Sequence, residues 1–220
     1  MSAPRVGWLG GSFDPVHAGH LHIARGAAAA LGLDRVLLVP ANEPPHKRGR
    51  LLASGADRLA LLHVACDGDP LLQPCDAELR RGGVSYSVDT ARQLLAELAP
   101  GTELYAIVGA DTLADLPNWR SVAELCTLVT FCPVAREGQG LDASPLEPLI
   151  GKAGVERIEG HVVRLPVHPA SSTAVRAALA AGRVPEHLPP GVADEIARRG
   201  LYGLGGAASR ESSGRDRSTP

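Results

Sequence analysis

The hydrophobic positions of the chain form short apolar runs, and these alternate with longer segments in which apolar residues recur at helical spacing. The apolar runs predict five strands, over residues 5–10, 35–40, 103–110, 126–133 and 161–166. The other segments predict helices, over residues 20–33, 56–68, 88–98 and 171–182. Gly32 is placed to end the first helix, because glycine readily adopts the left-handed conformation that closes many helices.

Strands that alternate with helices of this length favour a parallel sheet with helices on both faces. We therefore expect an α/β fold, a single Rossmann-like, doubly wound sheet, over residues 1–203. Residues 204–220 are small, polar and rich in Gly and Ser, which predicts a disordered tail. Gly203, Gly205 and Ala208 match a dinucleotide-binding fingerprint, but no strand precedes them, so we interpret the match as chance.

The carboxyl ends of the strands in such a sheet meet at one edge, where ligands bind. Four segments follow predicted strands or precede a predicted helix at that edge: residues 10–20, 40–47, 109–119 and 168–176. We therefore expect these four segments to lie close together and to form the functional site.

Composition narrows the class of protein. The net charge of −2 argues against a nucleic-acid binder that depends on neutralising phosphates. The four cysteines have no metal-ligand spacing, so we expect reduced thiols in the core. The N-terminal residues contain no long apolar stretch that would predict a signal peptide or a membrane span. We expect a cytoplasmic protein, and the oligomeric state stays open, with a homo-oligomer possible.

The stretch GGSFDPVHAGHL places a histidine pair, His17 and His20, at the start of the first predicted helix. Residues three apart share one face of a helix, and the helix start offers unpaired N–H groups. Gly10 and Gly11 allow the backbone to approach a ligand closely. These features indicate an anion site with two imidazole donors. Surface histidines, a zinc pair and a helix start without a ligand remain alternatives.

The stretch SSTAVR offers a second helix start of the same kind. Ser171 or Ser172 can cap the helix, Thr173 lies in its first turn, and Arg176 follows on the surface of that turn. A guanidinium suits phosphate oxygens, so this helix start also indicates an anion site. An ordinary capped helix with a solvated arginine is the alternative.

Together these two stretches resemble the nucleotidylyltransferase superfamily with the H-x-G-H signature, and specifically the bacterial nicotinate-mononucleotide adenylyltransferases. Residues 40–47 (PANEPPHK) resemble the P-A-N-x-P-P-H-K/R segment of that family, and residues 85–90 (SYSVDT) resemble S-Y-T-x-D-T. Residues 107–125 resemble I-x-G-x-D-x-L-x-x-L-x-x-W, and SSTAVR resembles I-S-S-T-x-I/V-R. Ser12 and Ser87 stand where the family often has Thr, and Ala170 stands where Ile is usual.

The resemblance implies an enzyme that transfers AMP from ATP to nicotinate mononucleotide in NAD biosynthesis, and Mg²⁺ bridging phosphate oxygens. It implies four catalytic residues: His17, His20, Lys47 and Arg176. It implies these ATP-binding residues: Gly10, Gly11, Ser12, Phe13, His17, His20, Gly109, Asp111, Ser172, Thr173 and Arg176. It implies these nicotinate-mononucleotide-binding residues: Asn42, His46, Lys47, Ser85, Tyr86, Ser87 and Trp119.

Several interpretations stay open at the level of single residues. Asp14 could orient a histidine or contact metal-bound water, or it could stabilise the turn before Pro15. Asp111 could bind the adenosine ribose, cap the following helix, or do both. We expect Trp119 to stack on the pyridine ring and Trp8 to lie in the core.

Two other functions compete with the adenylyltransferase interpretation. Phosphopantetheine adenylyltransferase shares the H-x-G-H and S-S-T-like segments, but it would not be expected to carry the P-P-H-K loop with this spacing. A catalytically silent nucleotide-binding regulator is a rival of another class. The presence of His17, His20, Lys47 and Arg176 argues against it, because a silent binder need not keep all four.

Overall fold

The computed structural model describes residues 3–45, 53–138 and 140–204 of the 220-residue chain. Within these residues six strands form one sheet: β1 Arg5–Gly11, β2 Arg35–Pro40, β3 Leu72–Pro74, β4 Glu103–Gly109, β5 Thr130–Arg136 and β6 Val163–Leu165. Every pair of neighbouring strands is parallel, and the strand order is β3-β2-β1-β4-β5-β6. This order confirms the predicted doubly wound α/β fold.

Helices cover both faces of the sheet. The helices of the described residues are α1 Ala18–Leu31, α2 Gly55–Ala65, α3 Ala77–Arg81, α4 Ser87–Glu97, α5 Ala110–Leu113, α6 Val122–Leu128, α7 Glu147–Glu159, α8 Ser172–Ala180 and α9 Val192–Arg198. Buried residues of α1, α2, α8 and α9 pack on one face, and those of α3, α4, α6 and α7 pack on the other. Neighbouring residues of β2 alternate between the two cores, so both faces of that strand are apolar.

Helix α1 ends where the sequence predicts. Gly32 closes it with φ = 60°, the left-handed conformation that glycine adopts without strain. Helix α7 is interrupted at Gly151, where φ is 69°. Among the described residues, no helix is both long enough and apolar enough to cross a lipid bilayer. The four cysteines are unpaired thiols that are buried or half-buried, as predicted.

The structure differs from the predicted elements in two ways. The strand predicted over residues 126–133 begins only at Thr130, because Cys126, Thr127 and Leu128 form the last turn of α6. An apolar run at a helix–strand junction has no clear period, so the boundary could not be read from it. The short edge strand β3 was not predicted, and neither were helices α3, α6, α7 and α9.

The strand order reverses between β1 and β4, which are hydrogen-bonded neighbours with connections that leave in opposite directions. A crevice opens at such a point, outside the carboxyl ends of the strands. Gly11 ends β1 and Gly109 ends β4, so the functional site is expected beside these two glycines.

Candidate active site

Two cavities open at the carboxyl ends of β1 and β4, and Gly109 lines both. The first, which we call the tryptophan cavity, has a volume of about 240 Å³ and is lined by Trp8, Gly10, Gly11, Ser85, Ser87 and Trp119, among others. The second, which we call the histidine cavity, has a volume of about 290 Å³, and its lining includes His17, His20, His22, His168 and Asp111. Two ligands bound in these cavities would therefore meet at Gly109.

The backbone turn between β1 and α1 is held by side chains from distant segments. Arg58 Nη1 donates to the Ser12 carbonyl at 2.7 Å, and Arg176 Nη1 donates to the Asp14 carbonyl at 2.6 Å. Ser172 Oγ donates to the Pro15 carbonyl at 3.1 Å. These contacts fix the turn beside the starts of α1 and α8, so both helix starts predicted as anion sites flank the same turn.

The carboxylate of Asp14 stabilises this turn. Asp14 is buried, and its Oδ1 accepts hydrogen bonds from the Ala53 N–H at 3.2 Å and from the Tyr202 hydroxyl at 2.7 Å. Burial and the bond to Asp14 raise the pKa of Tyr202 far above its usual range, so the hydroxyl keeps its proton. These contacts favour the turn-stabilising interpretation of Asp14.

His17 and His20 lie together at the start of α1. His17 is the residue just before the helix, and the two imidazole rings stack with their centroids 3.8 Å apart. The His17 backbone N–H donates to His20 Nδ1 at 3.2 Å, so a neutral His20 ring carries its proton on Nε2. A Cβ at Gly19 would lie 3.1 Å from the His17 ring, so glycine permits this close packing.

The His17 ring is neutral in the free protein. Burial, together with the nearby rings of His168 and His187, lowers the pKa of His17 to about 4. His17 Nδ1 has no hydrogen-bond partner among the described residues. An anion bound in the histidine cavity would oppose the effect of burial and would favour a protonated ring.

The side chain of Phe13 lies in the core, so the ATP contact that the resemblance implied would have to be made by its backbone. Its side chain is 1% exposed and packs in the core, and its ring lies edge-on to His20 with the centroids 4.9 Å apart. Its φ of 46° is unusual for a residue with a side chain, and the surrounding core holds it there. Phe13 therefore supports His20 instead of contacting a ligand through its side chain.

At the start of α8, Ser171 is the cap, because its Oγ accepts from the Ala174 N–H at 3.2 Å. Ser172 and Arg176 face the turn described above, and Arg176 Nη2 also reaches Thr173 Oγ1 at 3.3 Å. The guanidinium of Arg176 is thus oriented by protein contacts on the side of the turn, and it is not freely solvated as the alternative interpretation required.

Gly109 and Asp111 lie beside the histidine cavity, as expected. Gly109 is the residue that precedes α5, and Asp111 is an exposed residue in the first turn. The alternative in which Asp111 caps this helix is therefore wrong. Arg136, at the end of β5, lines the same cavity and was not among the predicted residues. Its position depends on the strand boundary that the sequence pattern placed too early.

Ser85, Tyr86, Ser87 and Trp119 surround a smaller cavity of about 150 Å³, which we call the side cavity. Ser85, Ser87 and Trp119 also line the tryptophan cavity, so the two adjoin. Helix α4 begins at Ser87, and its N-terminal turn therefore borders both cavities. Arg120, which was not predicted, lines the side cavity with its guanidinium 4.7 Å from the centre of the Tyr86 ring.

Asn42 connects two loops at the edge of this region. Its backbone N–H donates to Ser85 Oγ and its side-chain amide donates to the Gly83 carbonyl, both at 2.9 Å. In the free protein the amide nitrogen of Asn42 thus has a structural partner. His46, Lys47 and residues 205–220 of the expected tail lie outside the described residues.

Arg58 is a site residue that was not predicted from the sequence. Its side chain is 1% exposed, and besides Ser12 it donates to the carbonyls of Ala41 at 2.7 Å and Ala53 at 3.3 Å. Burial lowers the pKa of the guanidinium, and the opposing charge of Asp14 partly offsets this effect. An arginine within the helical pattern of residues 56–68 is expected to be exposed to solvent, so nothing in the local sequence indicates that Arg58 is buried.

The described residues contain no group of three or more His, Cys, Asp or Glu side chains that could hold a metal ion. His17 and His20 are stacked, and His20 Nδ1 is occupied by a backbone N–H. The zinc-pair interpretation of these histidines is therefore not supported.

The chain is similar in sequence to one family along most of its length. A family model described as cytidylyltransferase-like matches residues 8–178. A protein of Marinobacter nauticus is 41% identical over 205 residues, which cover 88% of this chain and 94% of that protein. A protein of Roseiflexus castenholzii is 40% identical over 203 residues, covering 92% of this chain and 100% of that protein. Both are named "probable nicotinate-nucleotide adenylyltransferase".

The fold is similar to a solved structure of more distant sequence. The nicotinic acid mononucleotide adenylyltransferase of Plasmodium falciparum, complexed with NaAD, superposes with a TM-score of 0.70 at 17% identity. The match covers 91% of this chain and 98% of that chain. At this identity the likeness establishes the fold.

We expect Arg58→Lys to lower the free energy of unfolding by about 1–3 kcal/mol. A lysine cannot donate to three separate carbonyls in the geometry of a guanidinium, and a buried carbonyl left unpaired costs about this much. Urea denaturation measures the difference. Arg25→Lys is the control, because Arg25 is an exposed residue paired with Asp69. Equal stability of the two variants would contradict the role assigned to Arg58.

Proposed function

The chain belongs to the nicotinate-nucleotide adenylyltransferases of the cytidylyltransferase-like family, and we propose from its site how it performs their reaction. The reaction transfers AMP from ATP to nicotinate mononucleotide, giving nicotinate adenine dinucleotide and pyrophosphate. The observation that carries the proposal is the meeting of the two cavities at Gly109. ATP occupies the histidine cavity, and the mononucleotide occupies the tryptophan cavity and the side cavity.

The chemistry needs no protein nucleophile. A phosphate oxygen of the mononucleotide forms a bond to the α-phosphorus of ATP, and the bond from that phosphorus to the bridging oxygen breaks as pyrophosphate leaves. The attacking group is already an anion, so no strong base is required. Catalysis then depends on holding the two substrates in line and on stabilising negative charge on the phosphates.

The residues at the turn between β1 and α1 supply this stabilisation. His20 donates from Nε2 to a phosphate oxygen, and His17 binds beside it as a neutral or newly protonated ring. Arg176 and Lys47 neutralise charge, and the amides of Ser172 and Thr173 bind the outer phosphates. Gly10 and Gly11, which have no side chain, let the backbone approach the phosphates closely, and the backbone of Ser12 continues this contact. Gly109 and Asp111 bind the adenosine ribose.

A divalent metal ion accompanies ATP in nucleotidyltransferases, and we propose Mg²⁺. The ion neutralises charge on the phosphates when it is bound. The described residues offer no cage of carboxylates for it. This donor set fits an ion that binds chiefly through substrate oxygens and water, which Mg²⁺ often does.

The nicotinate ring stacks on Trp119, and its carboxylate lies in the side cavity. There the first turn of α4 supplies backbone N–H groups, and Arg120 supplies a positive charge. Asn42, His46, Ser85, Tyr86 and Ser87 complete the surroundings of the mononucleotide. We further propose a cytoplasmic location, which fits the unpaired buried thiols, and we leave the number of subunits open.

Pyrophosphate release tests the proposed function. With ATP we expect activity on nicotinate mononucleotide and none on phosphopantetheine. We expect kcat/KM for nicotinate mononucleotide to exceed that for the amide form by at least about 100-fold, since a carboxamide directs an N–H at the donors of the side cavity. Equal kcat/KM for the two mononucleotides would refute the assignment of the side cavity, while no release with either would refute the function.

His20→Ala should lower kcat by about 10²–10³-fold, as is typical for removal of one oriented donor that stabilises transition-state charge. Steady-state pyrophosphate release at saturating substrates measures this. His63→Ala is the matched control, because His63 is an exposed residue of α2. Turnover near that of the unmodified protein in His20→Ala would remove His20 from the site.

Trp119→Ala should raise KM for nicotinate mononucleotide by about 10-fold or more, because a stacked aromatic contact contributes roughly 1–3 kcal/mol per base. KM for ATP should stay within about twofold, since ATP is placed in the other cavity. Trp119→Phe keeps an aromatic face and should raise KM for nicotinate mononucleotide by less than Trp119→Ala does. An equal change in both KM values would indicate a general structural defect instead of a stacking role.

A further inference from the structure

Two buried polar atoms in the wall of the tryptophan cavity have no hydrogen-bond partner. They are Trp8 Nε1 and Glu78 Oε2, which find no partner among the residues that the structure describes. Each side chain is 5% exposed, and both residues line the same cavity. Because native proteins pair nearly all of their buried polar groups, two unpaired atoms in one wall require an explanation.

The indole of Trp8 extends along β1 toward the carboxyl end of the strand. Its Nε1 would lie 3.3 Å from a Cβ placed on Gly10, so the N–H reaches the level of the glycines at the mouth of the site. The ring of Trp8 packs in the core, as predicted, together with Val6, Leu37 and Val39. Its polar end nevertheless belongs to the cavity wall.

Glu78 reaches the same cavity from the other side. It lies in α3, and its Oε1 accepts a hydrogen bond from Thr90 Oγ1 at 2.7 Å. Arg81 Nη2 donates to the same Thr90 oxygen at 2.9 Å, and the Tyr86 carbonyl, the other acceptor near the hydroxyl, is farther away at 3.3 Å, which favours donation of the hydroxyl proton to Glu78. This arrangement orients the carboxylate and leaves Oε2 as an acceptor without a donor.

The chemistry of the two atoms defines what can pair with them. An indole N–H only donates, and a carboxylate oxygen only accepts, whereas a hydroxyl group does both. Near neutral pH the carboxylate and phosphate of nicotinate mononucleotide are largely ionised and act as acceptors. The ribose hydroxyls are then the groups of this substrate that donate an O–H to Glu78.

We propose that Trp8 and Glu78 recognise the ribose hydroxyls of the mononucleotide. A ribose hydroxyl donates to Glu78 Oε2, and a ribose oxygen accepts from Trp8 Nε1–H. Because both atoms are shielded from water in the free protein, a small shift of the cavity wall accompanies this contact. The assignment rests on the proposed function, and it deepens that function by naming residues that select the sugar.

This placement also orders the rest of the substrate. Glu78 repels the nicotinate carboxylate, so the carboxylate is directed to Arg120 and the start of α4 in the side cavity. The phosphate then points toward Gly10, Gly11 and Gly109, where the histidine cavity begins. The three parts of the mononucleotide thus occupy three consecutive parts of the crevice.

The first test uses the unmodified protein and needs no variant. KM is measured for nicotinate mononucleotide and for its 2′-deoxy and 3′-deoxy analogues, with ATP saturating. We expect at least one deoxy analogue to have a KM about 10-fold higher, the size of one lost hydrogen bond. Equal KM values for all three would overturn the proposal.

The Glu78→Gln variant then tests whether Glu78 is the partner of the ribose hydroxyl that the deoxy analogues identify. The variant keeps the shape and an oxygen for Thr90, but it turns an amide N–H₂ toward the cavity. KM for the mononucleotide should rise about 10-fold, while KM for ATP stays within about twofold. In this variant the deoxy analogue that lacks this hydroxyl should have nearly the same KM as nicotinate mononucleotide, because the carboxylate that accepts from the hydroxyl has been removed. Glu97→Gln, at an exposed carboxylate paired with Arg80, is the charge control.

Trp8→Phe removes the N–H together with part of the ring. Val6→Ala is its control for lost packing, since Val6 belongs to the same strand and the same core and has no polar side-chain atom. We expect both variants to lower Tm and only Trp8→Phe to raise KM for the mononucleotide.

Other results would overturn the proposal. One is an equal rise of both substrate KM values in Glu78→Gln. Another is an increase in KM on removal of the ribose hydroxyl that is as large in Glu78→Gln as in the unmodified protein. A third is a KM for the mononucleotide that is the same in Trp8→Phe and Val6→Ala. A failure of the unmodified protein to release pyrophosphate with nicotinate mononucleotide would refute the proposed function itself, which the deoxy analogues and variants do not address.

Discussion

The turn from Ser12 to Pro15 is the constraint on which the site depends. Its carbonyls at Ser12, Asp14 and Pro15 are held by Arg58, Arg176 and Ser172, which come from α2 and α8. The same turn sets the start of α1 and therefore the stacked pair His17 and His20. Without these donors the turn would be a polar loop over a buried core. With them, two helix starts and the end of β1 converge on one point.

Arg58 extends this constraint to the second substrate. It donates to Ala41 as well as to Ser12, so one guanidinium holds both the turn between β1 and α1 and the segment after β2. Asn42 continues the connection to Ser85 and hence to α4. The histidine cavity and the tryptophan cavity are thus built from segments that share a rigid link. Such a link suits a reaction in which two bound phosphates have to be held in line.

The parts of this structure that follow from local pattern could be predicted, and those that depend on tertiary neighbours could not. The parallel sheet, the end of α1 at Gly32 and the cap at Ser171 follow from periodicity and from residue conformational preferences. The start of β5 was missed because α6 and β5 meet in one continuous apolar run. Most predicted site residues do lie at the carboxyl edge of the sheet, because motifs at strand ends reach one rim in this topology.

The failures within the site have the same origin. Phe13 belongs to the motif, and the motif alone does not reveal that its ring lies in the core. Arg58, Arg120 and Arg136 were missed as site residues, and nothing in the sequence indicated the roles proposed for Trp8 and Glu78. The apolar pattern around Trp8 predicts a core residue and gives no information about its indole N–H. The helical pattern around Arg58 predicts an exposed arginine, although this side chain is buried. Their roles depend on which segments approach them, and a single sequence does not carry that information.

The bond between Tyr202 and Asp14 has a consequence for biosynthesis of the chain. The two residues are 188 positions apart, and Arg176, which holds the same turn, is 162 positions from Asp14. A ribosome completes the signature residues at the N-terminus long before it adds these partners. The nascent chain therefore carries the histidines and glycines for most of its synthesis with Asp14 lacking its late partners. The turn that positions the histidines therefore gains its full set of contacts only after α8 and Tyr202 have been synthesised.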